Sequence, residues 1–357
     1  FGSMDIEQSL MGANRMSFKL FIYILFLSLS WAHLHEEDNT CFLQSTLDVT
    51  RRNMDTVAAK KGGRGSLAME SGTACKPAHK DVLVSTDTMS MLSSNINAGT
   101  SAVPDETKLA LHASRKAEFE ALSAEGIELI FYGDSITEQW RETALGEPCA
   151  LMASTAPGII QKCHGNKQTF DEFFGPSAIM GVWADTTADL LWRLENGEAP
   201  LQQPRAIFLH IGINNMNAVD GVYKFLNLEI QDLYSEVEPL SDEELINLAN
   251  STYFNIEAVI RKLLMYCQVP IVLTALFPTG YLWPAGPYGQ AVPRVNGLLN
   301  DLAAKNADLL HVIDCSSAVL NTSSNKIDPA LMLDFVHPSP QGMERWAECM
   351  SRALQSI

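Results

Sequence analysis

Positive charge is scarce in this 357-residue chain: 25 Lys and Arg stand against 42 Asp and Glu, a formal net charge of −17 at pH 7. That deficit argues against nucleic acid as a partner and against docking on an anionic membrane face. No grouping of His, Cys and Asp has metal-ligand spacing, so no metal is expected. No internal repeat is present, which removes solenoids and propellers. The apolar run at residues 20–31 is interrupted by Ser28 and Ser30 and is too short to span a bilayer comfortably. What remains is an ordinary globular composition, 46% apolar and 19% charged, with enough length for one large or two small domains.

That apolar run follows Lys19 and Arg15 and closes on Ser30-Trp31-Ala32, a small-x-small triplet. The pattern is that of a secretory signal at about residues 16–32, with a mature chain beginning near His33, destined for the secretory pathway or for secretion and carrying no membrane span. Residues 1–15 are set aside as an upstream extension. Seven cysteines fit export, and their odd number leaves at least one unpaired within the chain. Cys267, just ahead of an apolar run, is the candidate buried free thiol. Cys149 and Cys163 flank a short insertion they can close, and Cys41 and Cys75 can staple part of residues 33–105. That stretch holds Lys60-Lys61-Gly62-Gly63-Arg64-Gly65-Ser66 and little periodicity, and reads as a mostly disordered linker or propeptide. Asn250-Ser251-Thr252 and Asn321-Thr322-Ser323 would accept N-glycans in a eukaryotic host.

From Glu106 onward, residues 106–357, the texture changes to one catalytic-sized domain. A helix runs toward Gly126, and apolar strands are expected at 127–132, 178–183, 206–211, 269–276 and 309–313. Helices are expected after the second strand, at 254–266, at 295–304 and at 340–354. Strands alternating with helices imply an α/β fold with a five-stranded parallel sheet covered on both faces. Functional loops then lie beyond the carboxyl ends of the strands. Gly133-Asp134-Ser135 ends the first strand, Trp183-Ala184-Asp185 the second and Gly212-Ile213-Asn214 the third, while Asp334-Phe335-Val336-His337 precedes the last helix.

These residue types suit acyl transfer. A serine hydroxyl needs a base in hydrogen-bond reach, the base needs a carboxylate to orient it, and the oxyanion needs fixed donors. Ser135, His337 and Asp334 can supply the first three. The side-chain amide of Asn214 and the N–H groups of Ser135 and Ala184 are candidate donors. Each motif alone is commonplace; their order and their positions after successive strands are not.

Phe131-Tyr132-Gly133-Asp134-Ser135-Ile136-Thr137, Ile211-Gly212-Ile213-Asn214-Asn215 and Asp334-Phe335-Val336-His337 resemble the ordered motif blocks of the SGNH (GDSL-like) hydrolase family. Asp185-Thr186-Thr187, followed by residues 191–198, is similar to a stretch of the platelet-activating-factor acetylhydrolase catalytic subunits. The resemblance covers roughly residues 107–355. It implies a three-layer flavodoxin-like fold and ester hydrolysis by a Ser135–His337–Asp334 triad, without metal or organic cofactor. Family members usually carry glycine where Ala184 stands, so a competent site is expected to hold Ala184 at ordinary negative φ, with its N–H toward Ser135 and Asn214. Trp183 is placed to narrow the pocket, and Tyr281 and Trp283, in an aromatic loop, can line it or cover the core. Asp134 is read as a support of its turn, Arg193 as structural, and His210 and His311 as packed strand residues. The substrate expected is a small acyl ester, first an acetylated carbohydrate and second a lipid ester. An acyltransferase with the same triad, or a non-catalytic binding protein on the same fold, remains open, as does the oligomeric state.

Overall fold

The structure, a computed structural model, describes Ala74, Cys75 and residues 106–154, 163–216, 240–280 and 282–355. The expected signal segment, the rest of the 33–105 segment, Cys41 and Tyr281 lie outside the described residues. Helix α1 (Glu106–Glu125) leads into strand β1 (Leu129–Gly133) and the short helix α2 (Ser135–Glu138). Then come α3 (Asn166–Phe174), β2 (Ala178–Gly181), α4 (Thr187–Arg193), β3 (Ala206–His210), α5 (Asp242–Tyr266), β4 (Ile271–Thr274), α6 (Pro287–Ala304), β5 (Leu310–Ile313) and α7 (Pro340–Leu354).

The five strands are parallel in the order β2-β1-β3-β4-β5. Every residue of β1, β2, β3 and β4 is buried, which is why these strands are continuous apolar runs without alternation. The sheet grows from β1 in both directions, so right-handed crossovers place helices on opposite faces. Accordingly α4, α5 and α6 pack in one layer, and α3 packs with α7. Phe170 and Phe174 of α3 pack edge-on and tilted against Phe131, with ring centroids 4.9 and 4.8 Å away. This is the expected three-layer flavodoxin-like α/β architecture. Its topological switch lies between β1 and β3, and there the crevice beyond the carboxyl ends opens.

Several boundaries differ from expectation. Helix α5 begins at Asp242 and not near Phe254, because Ser241 and Glu244 form a reciprocal capping box there. Its first turn, Asp242-Glu243-Glu244, is acidic and exposed, and the buried stripe begins only at Leu245 and Ala249. Helix α6 begins at Pro287, with proline in its first turn, and α3 was not anticipated. Cys267 is not a free thiol: it is bonded to Cys75, 192 residues earlier, with Cα atoms 4.9 Å apart. Ala74 beside it forms an antiparallel bridge to Gln202, so this point of the 33–105 segment is tied to the domain and is not stapled to Cys41. Cys149–Cys163 is closed as expected, and Cys315–Cys349 joins the end of β5 to α7. No helix among the described residues is long and apolar enough to cross a membrane.

Candidate active site

The crevice is assembled from three strand ends and the turn before α7. Strand β1 stops at Gly133, where an added Cβ would lie 2.1 Å from Thr137 Oγ1 and 2.5 Å from the His210 carbonyl oxygen. Only glycine lets the chain turn that tightly into α2. Asp134 caps α2, its Oδ1 accepting from the Ile136 N–H at 3.0 Å, the supporting role expected of it. Ser135 is thus the first residue of a helix. Among the described residues its N–H has no protein acceptor, as helix starts leave it.

Across the crevice, the turn before α7 is folded around one carboxylate. Asp334 Oδ1 accepts from the N–H groups of Val336 (3.1 Å) and His337 (2.7 Å), and Oδ2 lies 2.8 Å from His337 Nδ1. His337 Nε2 in turn lies 2.9 Å from Ser135 Oγ. All three side chains are buried. The indole of Trp183 stacks on the His337 ring, with centroids 4.9 Å apart and 16° between planes. It also packs against the cluster of Ala144, Cys149 and Cys163, so the Cys149–Cys163 disulfide backs the indole.

Ala184 departs from expectation. Its φ is +55°, left-handed and not negative, a conformation that costs a residue with a β-carbon roughly 1–2 kcal/mol. Such strain persists only where the surroundings over-determine it, and here they do. Trp183 N–H donates to Glu138 Oε2 at 2.7 Å, Asp185 N–H to the Val182 carbonyl at 3.2 Å, and Asn214 Nδ2 to the Asp185 carbonyl at 2.9 Å. Lys108 Nζ holds the Ala184 carbonyl at 3.1 Å. The Ala184 N–H has no acceptor among the described residues, and one proton of the Asn214 amide remains after its bond to Asp185.

Residues 131–345, more than half of the chain, match the model of the GDSL-like Lipase/Acylhydrolase family. The chain belongs to that family. A curated relative, platelet-activating factor acetylhydrolase IB subunit alpha2 of Gallus gallus, is 28% identical over 171 residues, which is 46% of this chain and 59% of the relative. The chain thus spans less than two thirds of that relative's length. Among solved structures, a GDSL-like lipase from Bacteroides thetaiotaomicron matches with TM-score 0.40 and 16% identity, covering 69% of this chain and 97% of that one. An acetyl xylan esterase from Geobacillus stearothermophilus matches with TM-score 0.37 and 20% identity, covering 64% and 94%.

In this family member the motif residues Ser135, Asp334 and His337 meet. Asn214 is tied to the Ala184 turn, and Trp183 lies on the His337 ring. Trp283 is half-buried and packs on the hydrophobic core. His210 is a packed residue: Nδ1 lies 2.8 Å from Thr274 Oγ1 and burial pushes its pKa down to about 4. Arg193 is structural, bonded to Asp185 Oδ2 (2.8 Å), to the Met180 and Gly133 carbonyls (3.1 and 3.4 Å) and to Glu198. Two residues around the site escaped the sequence. Glu138 directly follows the first motif block yet is marked only by being a charge among buried neighbours, and Lys108 has no local signal at all.

Burial, and the neighbouring Asp185, push the Asp134 carboxyl up to about 7 from an ordinary 3.8, against the pull of the backbone N–H groups it accepts from. The folded state therefore holds this proton more tightly than the unfolded chain. The stabilisation is complete below about pH 3.8 and is lost as pH rises through about 7. Asp134→Asn keeps an acceptor for Ile136 and removes the titration. Urea midpoints of wild type and variant are expected to diverge between pH 4 and 7.5, the wild type losing more; parallel curves would reject the assignment.

Proposed function

We propose that this acylhydrolase is a serine esterase that removes small acyl groups, acetyl first among them, with Ser135 as nucleophile, His337 as general base and acid, and Asp334 as the group that orients it. The observation that carries this reading is the unbroken chain from Asp334 Oδ2 through the His337 ring to Ser135 Oγ, at 2.8 and 2.9 Å. His337 takes the hydroxyl proton as Ser135 Oγ attacks the ester carbonyl, and the Asp334 carboxylate stabilises the imidazolium. The N–H groups of Ser135 and Ala184 and the free Asn214 proton receive the oxyanion. His337 then returns the proton to the departing alcohol, and water repeats the sequence on the acyl-enzyme.

The indole stacked on His337 favours a short acyl chain, because it occupies space beside the nucleophile. An acetylated carbohydrate is the first substrate class, in keeping with an exported protein. Three disulfides among the described residues support an oxidising compartment. A lipid acetyl ester is second, in view of the relative named for platelet-activating factor. The test is a series of p-nitrophenyl esters from acetyl through butyryl to longer chains, with and without acceptor sugars. The acetyl ester is expected to be turned over fastest, with free acid as product. Faster turnover of long chains would overturn the small-acyl reading, and acyl-sugar products would make the protein a transferase.

A further inference from the structure

We infer that Lys108, on α1 and upstream of the family-matched residues, is a positioning residue that holds the Ala184 turn in its left-handed conformation and so aims the Ala184 N–H as an oxyanion donor. The inference rests on the esterase reading above. Its warrant is the way a peptide turn is defined. The Ala184 N–H belongs to the peptide plane shared with Trp183, and the Ala184 carbonyl belongs to the plane shared with Asp185. The φ and ψ angles at Ala184 are the rotation between those planes. To keep +55° against the preference of a β-carbon, the flanking peptides must be held, and on the near side the Trp183 N–H is fixed on Glu138 Oε2 at 2.7 Å.

The second plane is held at both ends: the Asp185 N–H donates to the Val182 carbonyl at 3.2 Å, and Lys108 Nζ donates to the Ala184 carbonyl at 3.1 Å. Lys108 is the only donor to that carbonyl among the described residues. Ala184 is exposed, so packing does not hold it. An ammonium group has three donors, and one of them is given to this carbonyl. Besides the carbonyl it faces Asp185 Oδ1 at 3.2 Å and Asp189 Oδ2 at 3.1 Å, with its side chain 20% exposed. Both carboxylates are themselves anchored, Asp185 by Arg193 and Asp189 in the capping box of α4. The ammonium is therefore fixed in place before it meets the carbonyl. The donor's orientation in the crevice is set by a residue from a helix that contributes nothing to the chemistry itself.

The test is a four-member cycle on p-nitrophenyl acetate: wild type, Lys108→Met, Ala184→Gly and the double variant. Methionine keeps the length and apolar stem of lysine and removes the donors. Lys108→Met is expected to lower kcat about ten-fold with little change in KM, since only the transition state carries the oxyanion. Glycine adopts positive φ without the clamp, so in the Ala184→Gly background the same change is expected to cost less than about two-fold. A crystal structure of Lys108→Met is expected to show residue 184 outside the left-handed region. Equal losses in the two backgrounds, or φ at 184 still near the wild-type value without Lys108, would overturn the inference. If Lys108→Met does not fold, recovery of folding by Ala184→Gly supports the inference and failure to recover overturns it. A wild type without esterase activity would sink the functional reading, and the φ measurement would still decide the role of Lys108.

Discussion

Ser135→Ala is expected to abolish ester turnover, by a factor on the order of 10⁶ in kcat, while leaving melting temperature and circular dichroism close to wild type. The chemical loss is total because, among the described residues, the one hydroxyl bonded to His337 Nε2 is that of Ser135, at 2.9 Å. The structural loss is small because a single oxygen is removed from a residue whose backbone helical position is set by the Asp134 cap and the Gly133 turn. A fluorophosphonate probe makes the result specific to the residue. Wild type should label once, on the peptide containing Ser135, and the variant should not label. A variant that keeps its rate would put the nucleophile elsewhere. A wild-type protein that neither labels nor turns over ester would be a binding protein on a hydrolase fold.

How much of this was legible in the residues depends on the range over which each feature is determined. Strand β1 and helix α7 lie close to where periodicity puts them, because apolar runs and a Ser-Pro start are local signals. The triad is legible for a related reason. A parallel sheet brings the ends of its strands to one edge, so short motifs after successive strands must meet there, however ordinary each is alone. Cys267 shows the opposite case. A cysteine ahead of an apolar strand looks like a buried thiol, and its partner Cys75 lies in a stretch without pattern. Ala184 fails in the same way. Residue type states what an alanine prefers, and the preference was overridden by anchors from Glu138, Asn214 and Lys108, which come from three different elements. Trp183 was expected to narrow the pocket. Its stacking on His337, backed by a disulfide loop, gives that expectation a geometry.

Asn214→Ala carries the second large effect, a fall in kcat of about a hundred-fold or more with a smaller change in KM. The carboxamide is not a mobile side chain reaching for substrate. One Nδ2 proton is committed to the Asp185 carbonyl at 2.9 Å, and that bond fixes the direction of the other. A donor held in advance pays no reorganisation as charge develops on the oxyanion, so its loss is felt chiefly in the transition state. Removing it also releases the Asp185 carbonyl, one of the anchors of the strained Ala184 turn, so two of the three donors suffer together. The cost should therefore exceed that of a single donor, and Asn214→Ala and Ala184→Gly should not be additive in a double-mutant cycle, because the glycine needs less anchoring. Neighbouring Asn215 offers a control on the same loop: its side chain bonds the Thr187 N–H at 3.0 Å and hydroxyl at 2.7 Å, so Asn215→Ala should act on stability more than on kcat. A pure rise in KM for Asn214→Ala would make that residue a ground-state binding group, and strict additivity would show that its bond to Asp185 does not support the Ala184 turn.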